Sequence, residues 1–160
     1  MNFPLHPGLP VAVIGAGPVG LAAAAHLAER GVPFVVFEAG EGPAAAVRQW
    51  GHVTFFSPWR FNIDSAAERL LKLTGWTMPD PDRDPTGREL IDRYLAPLAA
   101  LPAIAPHIRY GAKLTAVTRQ GMDRVPSKWR EQRPFEISVT HTNGMLERVL
   151  ASAVIDASGT

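Results

Sequence analysis

The chain has no cysteine among its 160 residues. That excludes a disulfide framework, a thiolate metal site and a C-x-x-C redox pair within it, and it fits a reducing compartment, read here as cytoplasmic. An excess of either charge is also missing: 16 basic and 15 acidic side chains leave a net charge of +1. No field for nucleic acid or for an acidic membrane surface follows from that balance. The first ten residues hold Pro4, Pro7 and Pro10 but no Lys, no Arg and no apolar run of secretory-signal length, so they read as an irregular lead-in. Metal-ligand spacing is absent as well. Asp80, Asp82 and Asp84 alternate, yet the central glycine and closing glutamate of a calcium loop are missing, and no metal site is expected. Ser57 lies outside any G-x-S-x-G turn. His6, His26, His52, His107 and His141 are scattered, and spacing forces no catalytic acid or base. Repeats and low-complexity tracts do not occur.

What the chain does have is a strand, a tight turn, a helix, a second strand and an acid, all in register. Val11, Ala12, Val13 and Ile14 run into the turn Gly15-Ala16-Gly17-Pro18-Val19-Gly20, which has the G-x-G-x-x-G spacing. In that pattern Gly15 permits the turn, Gly17 lets backbone approach a pyrophosphate, and Gly20 lets the helix lie close to the sheet. Pro18 falls at the helix start, where a missing N–H costs nothing, and Gly31 is placed to stop the helix. Leu21, Ala24, Ala25 and Ala28 form a narrow apolar face, with His26, Glu29 and Arg30 expected toward solvent. Residues 32–37 read as a second buried strand. Glu38 ends it, where a carboxylate accepts the hydroxyls of an adenosine ribose and repels a 2′-phosphate. A membrane span over residues 11–28 is a poor alternative, because three glycines and a proline fall in its first ten residues.

Residues 44–50 read as a short helix, with Arg48, Gln49, Trp50 and His52 close together. Two readings stand for them: a segment crossing the bound dinucleotide, Arg48 on a phosphate and Trp50 over a ring face, or a capped surface turn with a core tryptophan. Phe55, Phe56, Trp59 and Phe61 form either an irregular pocket wall or an ordinary cluster beneath a loop. Ser65-Ala-Ala-Glu68 and Thr86-Gly-Arg-Glu89 are capping-box patterns opening two helices. Pro97 is expected to bend or end the second, whose Tyr94 reads as core. Residues 113–119, 135–142 and 145–150 read as a three-stranded antiparallel sheet, with Asn143-Gly144 as a hairpin turn. The loop between the first two strands carries Arg124, Lys128, Arg130 and Arg133 and reads as solvated, anchored by Trp129. Residues 153–156 form another buried strand before Ala157-Ser158-Gly159-Thr160.

These residues resemble the two-dinucleotide-binding-domain flavoproteins, which include flavin-containing monooxygenases and glutathione-reductase-like enzymes. Gly15, Gly17, Gly20 and Glu38 match that family's FAD fingerprint, as do the apolar Ala24, Leu27, Val32, Phe34 and Phe37. Residues 85–95 look like the stretch before its third parallel strand. Residues 154–160 look like the strand and A-T-G turn that complete an FAD domain, with Ser158 in place of threonine.

The resemblance implies an α/β class: a Rossmann-like FAD/NAD(P)-binding domain with a parallel sheet, flanking helices and a three-stranded antiparallel meander. It covers residues 1–160, expected as the N-terminal part of a longer flavoprotein. FAD would be held by Gly15, Ala16, Gly17, Pro18, Val19, Gly20, Glu38 and Ala39, with Lys113 and Leu114 at the adenine and Ser158 and Gly159 nearby. Arg48, Trp50 and His52 would sit where the family's loop approaches the flavin. A second G-x-G-x-x-G is absent, as is the Baeyer–Villiger fingerprint. The NAD(P)H site is therefore expected outside this chain, in a C-terminal half. The implied function is an NAD(P)H-dependent, monooxygenase-like flavin oxidoreductase, its flavin accepting hydride from NAD(P)H and passing electrons to O₂ or an unspecified small molecule. A non-catalytic dinucleotide-binding domain and the NAD-binding domain of a dehydrogenase are the alternatives.

Overall fold

A computed structural model describes residues 6–122 and 128–159. In chain order, strand β1 (Val11–Ile14) leads into helix α1 (Pro18–Glu29) and strand β2 (Phe34–Phe37). Short helices α2 (Ala45–Gln49), α3 (Trp59–Asn62), α4 (Ser65–Lys72) and α5 (Gly87–Leu90) follow, and α5 runs through a π turn (Ile91–Leu95) into α6 (Ala96–Ala99). Then come β3 (Ile108–Arg109), β4 (Ala112–Arg119), β5 (Phe135–His141), β6 (Leu146–Ala151) and β7 (Ala153–Asp156).

All four residues of β1 and all four of β2 are buried, the signature of parallel strands covered on both faces. The parallel sheet has the order β3-β2-β1-β7, and β4-β5-β6 form a separate antiparallel sheet. Alternation sorts the side chains into two cores. Val11, Val13, Phe34 and Val36 pack with the helices, around Trp59, Tyr94 and Leu98. Ala12, Val35 and Phe37 pack on the other face with Ile137, Val139 and Ala151 of the antiparallel sheet. Helices, parallel sheet and meander are thus three layers. The meander is tied to the end of β2 by Gly111 N–H donating to Gly40 O and Ala112 N–H to Glu38 O, each at 2.9 Å.

Several local expectations need correction. The helix at residue 65 is capped by Asp64, whose Oδ1 accepts from the N–H groups of Ala66 and Ala67; Ser65 is already helical. Glu29 and Arg30 are exposed as expected, whereas His26 is half-buried, because α4 packs against that side of α1. His26 Nε2 meets Asp64 Oδ2 at 3.1 Å, and Glu29 takes a two-pronged bond from Arg69 at 2.7 and 2.8 Å. Trp129 is 59% exposed rather than seated in a core; at the base of that hairpin the Arg119 guanidinium lies 3.6 Å from the Phe135 ring centroid. Arg124 lies outside the described residues.

The second capping box forms as its spacing predicts, Thr86 with Glu89. Beyond it the helix widens into the π turn, where Ala96 N–H reaches Ile91 O. Pro97 has no N–H to offer Arg93 O, its partner in an α-helix. Trp76 Nε1 donates to that carbonyl at 2.7 Å. Among the described residues no helix is long and apolar enough to cross a membrane, and no group of three His, Asp or Glu is placed to hold a metal.

Candidate functional site

The carboxyl ends of β2, β1 and β7 open on a cavity of about 460 Å³. Its floor is the glycine turn. Gly15 has φ +94°, and a Cβ there would lie 2.7 Å from Ala157 O, so the turn needs glycine for conformation and space together. A Cβ on Gly20 would collide with Gly15 O. Gly17 differs: its backbone is extended at φ −79°, ψ −172°, it lines the cavity, and a Cβ there would meet no atom within 4 Å. The space above Gly17 therefore belongs to the cavity, as close approach by a phosphate requires.

Gly17 also begins α1. No side chain caps that helix start, and its first turn contains no acid. The N–H groups of Val19 and Gly20 have no intrahelical acceptor and point toward the cavity end of the helix dipole, an anion-binding arrangement.

Glu38 stands beside the turn, 8% exposed. Its Oε2 accepts Ala16 N–H at 2.8 Å and its Oε1 accepts Gly40 N–H at 2.8 Å. An ionised carboxylate has about four acceptor positions, so two remain for hydroxyl groups. Tyr110 lies near this acid, its phenol pushed up by burial and then by the Glu38 charge. On the opposite side of the turn, Asp156 ends β7. Its Oδ1 accepts both Ser158 Oγ, at 2.7 Å, and Ser158 N–H, at 3.1 Å. These bonds hold the carboxyl below the usual aspartate range. Lys113 is the one cation among the described lining residues. The rest of the lining offers backbone N–H groups as donors and the Glu38 and Asp156 carboxylates as acceptors.

Gly15, Gly17, Pro18, Val19, Glu38, Ala39, Lys113, Leu114, Ser158 and Gly159 all line this one cavity. Ala16 and Gly20 support it from beneath, Ala16 through Glu38 and Gly20 against Gly15. Arg48, Trp50 and His52 are not brought to it. The segment after α2 is stitched to the start of α5 by Arg88 N–H to Gly51 O (2.8 Å), Gly87 N–H to Val53 O (2.9 Å) and Phe55 N–H to Pro85 O (2.8 Å). Arg48 consequently borders a separate small hollow with Arg88 and Asp92, Trp50 packs on Phe55 at 5.5 Å, and His52 is exposed.

Sequence reading missed two parts of the wall. Ala44 to Val47 line it, with Ala44 in the left-handed region at φ +55° and its N–H donating to Ala16 O at 2.9 Å. Alanines carry no chemical signal that could have marked them. Asp156 did carry one: it ends an apolar strand as Glu38 does, on the other flank of β1, although that strand, expected to be buried, is a half-buried edge strand.

The family model described as FAD dependent oxidoreductase matches residues 10–152. Over 122 residues the chain is 34% identical to indole-3-pyruvate monooxygenase YUCCA1 of Oryza sativa subsp. japonica, covering 74% of this chain and 26% of that protein. Among solved structures, the bacillithiol disulfide reductase Bdr (YpdA) from Bacillus cereus superposes with a TM-score of 0.70 at 21% identity, over 94% of this chain and 40% of that one. OTEMO in complex with FAD and NADP gives 0.67 at 21% identity, over 96% and 26%. The two solved structures establish likeness of fold. The chain spans about a quarter of the length of its curated monooxygenase relative. By the match over residues 10–152, this chain belongs to the FAD dependent oxidoreductase family.

Proposed function

We propose that residues 1–160 are the FAD-binding portion of a longer, monooxygenase-like flavin oxidoreductase that draws electrons from NAD(P)H bound outside this chain. The observation that carries the reading is the single cavity shared by the glycine turn, Glu38, the first meander strand and the turn after β7. The open space over Gly17 and the uncapped start of α1 suit a pyrophosphate. On this reading Glu38 takes the adenosine ribose, and Lys113 and Leu114, which line the same cavity from β4, meet the adenine. The monooxygenase relative and the NADP held by OTEMO support the donor and reaction class.

Bound FAD supplies the redox chemistry. This chain's own residues do three things. The backbone of the glycine turn binds the phosphates, Glu38 orients the ribose, and the apolar walls from Phe37, Leu114 and Val47 exclude water along the cofactor.

The test is an absorbance spectrum of the purified chain before and after adding FAD, with any released cofactor identified. Flavin bands that travel with the protein are expected. A protein that takes NAD or ADP but not FAD overturns the reading of this chain as able to hold FAD and leaves a dehydrogenase domain or a flavin half-site whose ring-binding wall is missing.

A further inference from the structure

β7 pairs in register with β1 on the flank opposite β2: Ile14 faces Phe37 on one side and Asp156 on the other. Glu38 follows Phe37 directly. The two carboxylates that line the cavity therefore leave the sheet two strand spacings apart, roughly 10 Å, with the glycine turn between them. A pyrophosphate on that turn has one sugar on the β2 side, at Glu38, and whatever its second phosphate carries on the β7 side, at Asp156.

Asp156 is built to accept rather than to pair with a cation. Ser158 donates both its Oγ and its N–H to Oδ1, which fixes the carboxylate plane and keeps it anionic. Among the described residues no donor reaches Oδ2. An anion there repels a further phosphate and accepts a hydroxyl. The turn after β7 packs closely on the glycine turn: a Cβ on Gly15 would lie 2.7 Å from Ala157 O.

We propose that Asp156 is a cofactor-binding residue whose Oδ2 accepts a hydroxyl of the sugar chain beyond the second phosphate, so that the cavity reads a polyol on each side of the pyrophosphate. The inference rests on the FAD reading above and assigns the second anchor of that cofactor.

The experiment is calorimetric titration of the purified chain with FAD and, separately, with ADP, which has the adenosine and both phosphates but nothing beyond them. Asp156→Ala is expected to weaken FAD about tenfold or more, the scale of one hydrogen bond to a charged acceptor, without weakening ADP. Asp156→Asn, which keeps an oxygen for Ser158 but loses the charge, falls between Asp156→Ala and the unmodified chain. Retained ADP binding shows that the variant is folded. Unchanged FAD affinity overturns the assignment, and so does a parallel fall for both ligands, which would make Asp156 a support of the turn alone. Failure of the underlying reading has its own signature: an unmodified chain that binds FAD no more tightly than ADP overturns both.

Discussion

Glu38 Oε2 accepts the N–H of Ala16 at 2.8 Å, so the acid that faces the cavity also holds the turn forming its floor. Its other oxygen holds Gly40, where the chain leaves for α2. A purely ligand-directed acid could be neutralised without cost to the fold; this one cannot. Glu38→Gln must present an amide NH₂ to one of two backbone donors, leaving a buried N–H without an acceptor. The expected loss is about 1–3 kcal/mol in unfolding free energy, measured by urea titration without ligand, with FAD affinity falling as well. Unchanged stability would show that Ala16 and Gly40 do not depend on this carboxylate.

Two of the three glycines predict opposite outcomes. Gly17→Val puts its side chain into the cavity from an extended backbone that any residue adopts, so the unfolding midpoint stays close to that of the unmodified chain while FAD binding is lost. Gly20→Ala drives a Cβ into Gly15 O and is expected to cost the fold itself, seen as lost cooperativity in thermal unfolding. A Gly17→Val protein that still binds FAD would remove the turn from the site.

Asp64 predicts a sharp contrast with its neighbour. It caps α4 with Oδ1, meets His26 with Oδ2, and donates its own N–H to Tyr94 Oη at 3.1 Å, joining α1, α4 and the π turn at one residue. Asp64→Ala is expected to lower stability by about 0.5–2 kcal/mol, the range for a lost N-cap. Ser65→Ala should stay within about 0.5 kcal/mol, as for an exposed position without such a role. Equal losses in denaturant titrations would return the cap to Ser65.

That contrast also shows where sequence patterns stop being informative. β1 and β2 were legible because strands buried on both faces are written as unbroken apolar runs, and the hairpin of β5 and β6 because Asn143-Gly144 suits a tight turn; β7 was found as a strand but not in its burial, since it lies at the sheet edge, half-buried and ending on an exposed Asp156. Glu38 could be placed because an acid at the end of β2 has a geometric meaning after a glycine turn. The cap was misplaced because Asp64 and Ser65 are both good caps, and only the latter has a glutamate three residues on. The π turn depends on Trp76, 21 positions before Pro97 in sequence, supplying a donor to Arg93 O. No pattern within the helix encodes that contact. Arg48, Trp50 and His52 drew attention by residue type, whereas the backbone bonds from Gly51, Val53 and Phe55 to the start of α5 decide where they go.

Acid sensitivity should be traceable to the second capping box. Arg83 grips Glu89 with two bonds, 2.7 and 3.0 Å, and Thr86 N–H adds a third at 2.9 Å. The guanidinium first, then the Thr86 N–H, holds the Glu89 carboxyl down to about 2 from an ordinary 4.5. A carboxyl lowered on folding binds its proton more readily in the unfolded chain. Its stabilisation is therefore complete above about pH 4.5 and is lost as the pH falls toward about 2. Glu29, Asp64 and Glu147 are shifted in the same direction and add to the same decline. Glu89→Gln cannot titrate and keeps only part of the capping geometry. Its urea midpoint is expected below that of the unmodified chain at neutral pH, with a shallower fall through the acid range, so that the two profiles converge near pH 2. Profiles that stay parallel from neutral pH down would mean that the Arg83–Glu89 contact contributes nothing to acid unfolding, and that the decline belongs to the other carboxylates.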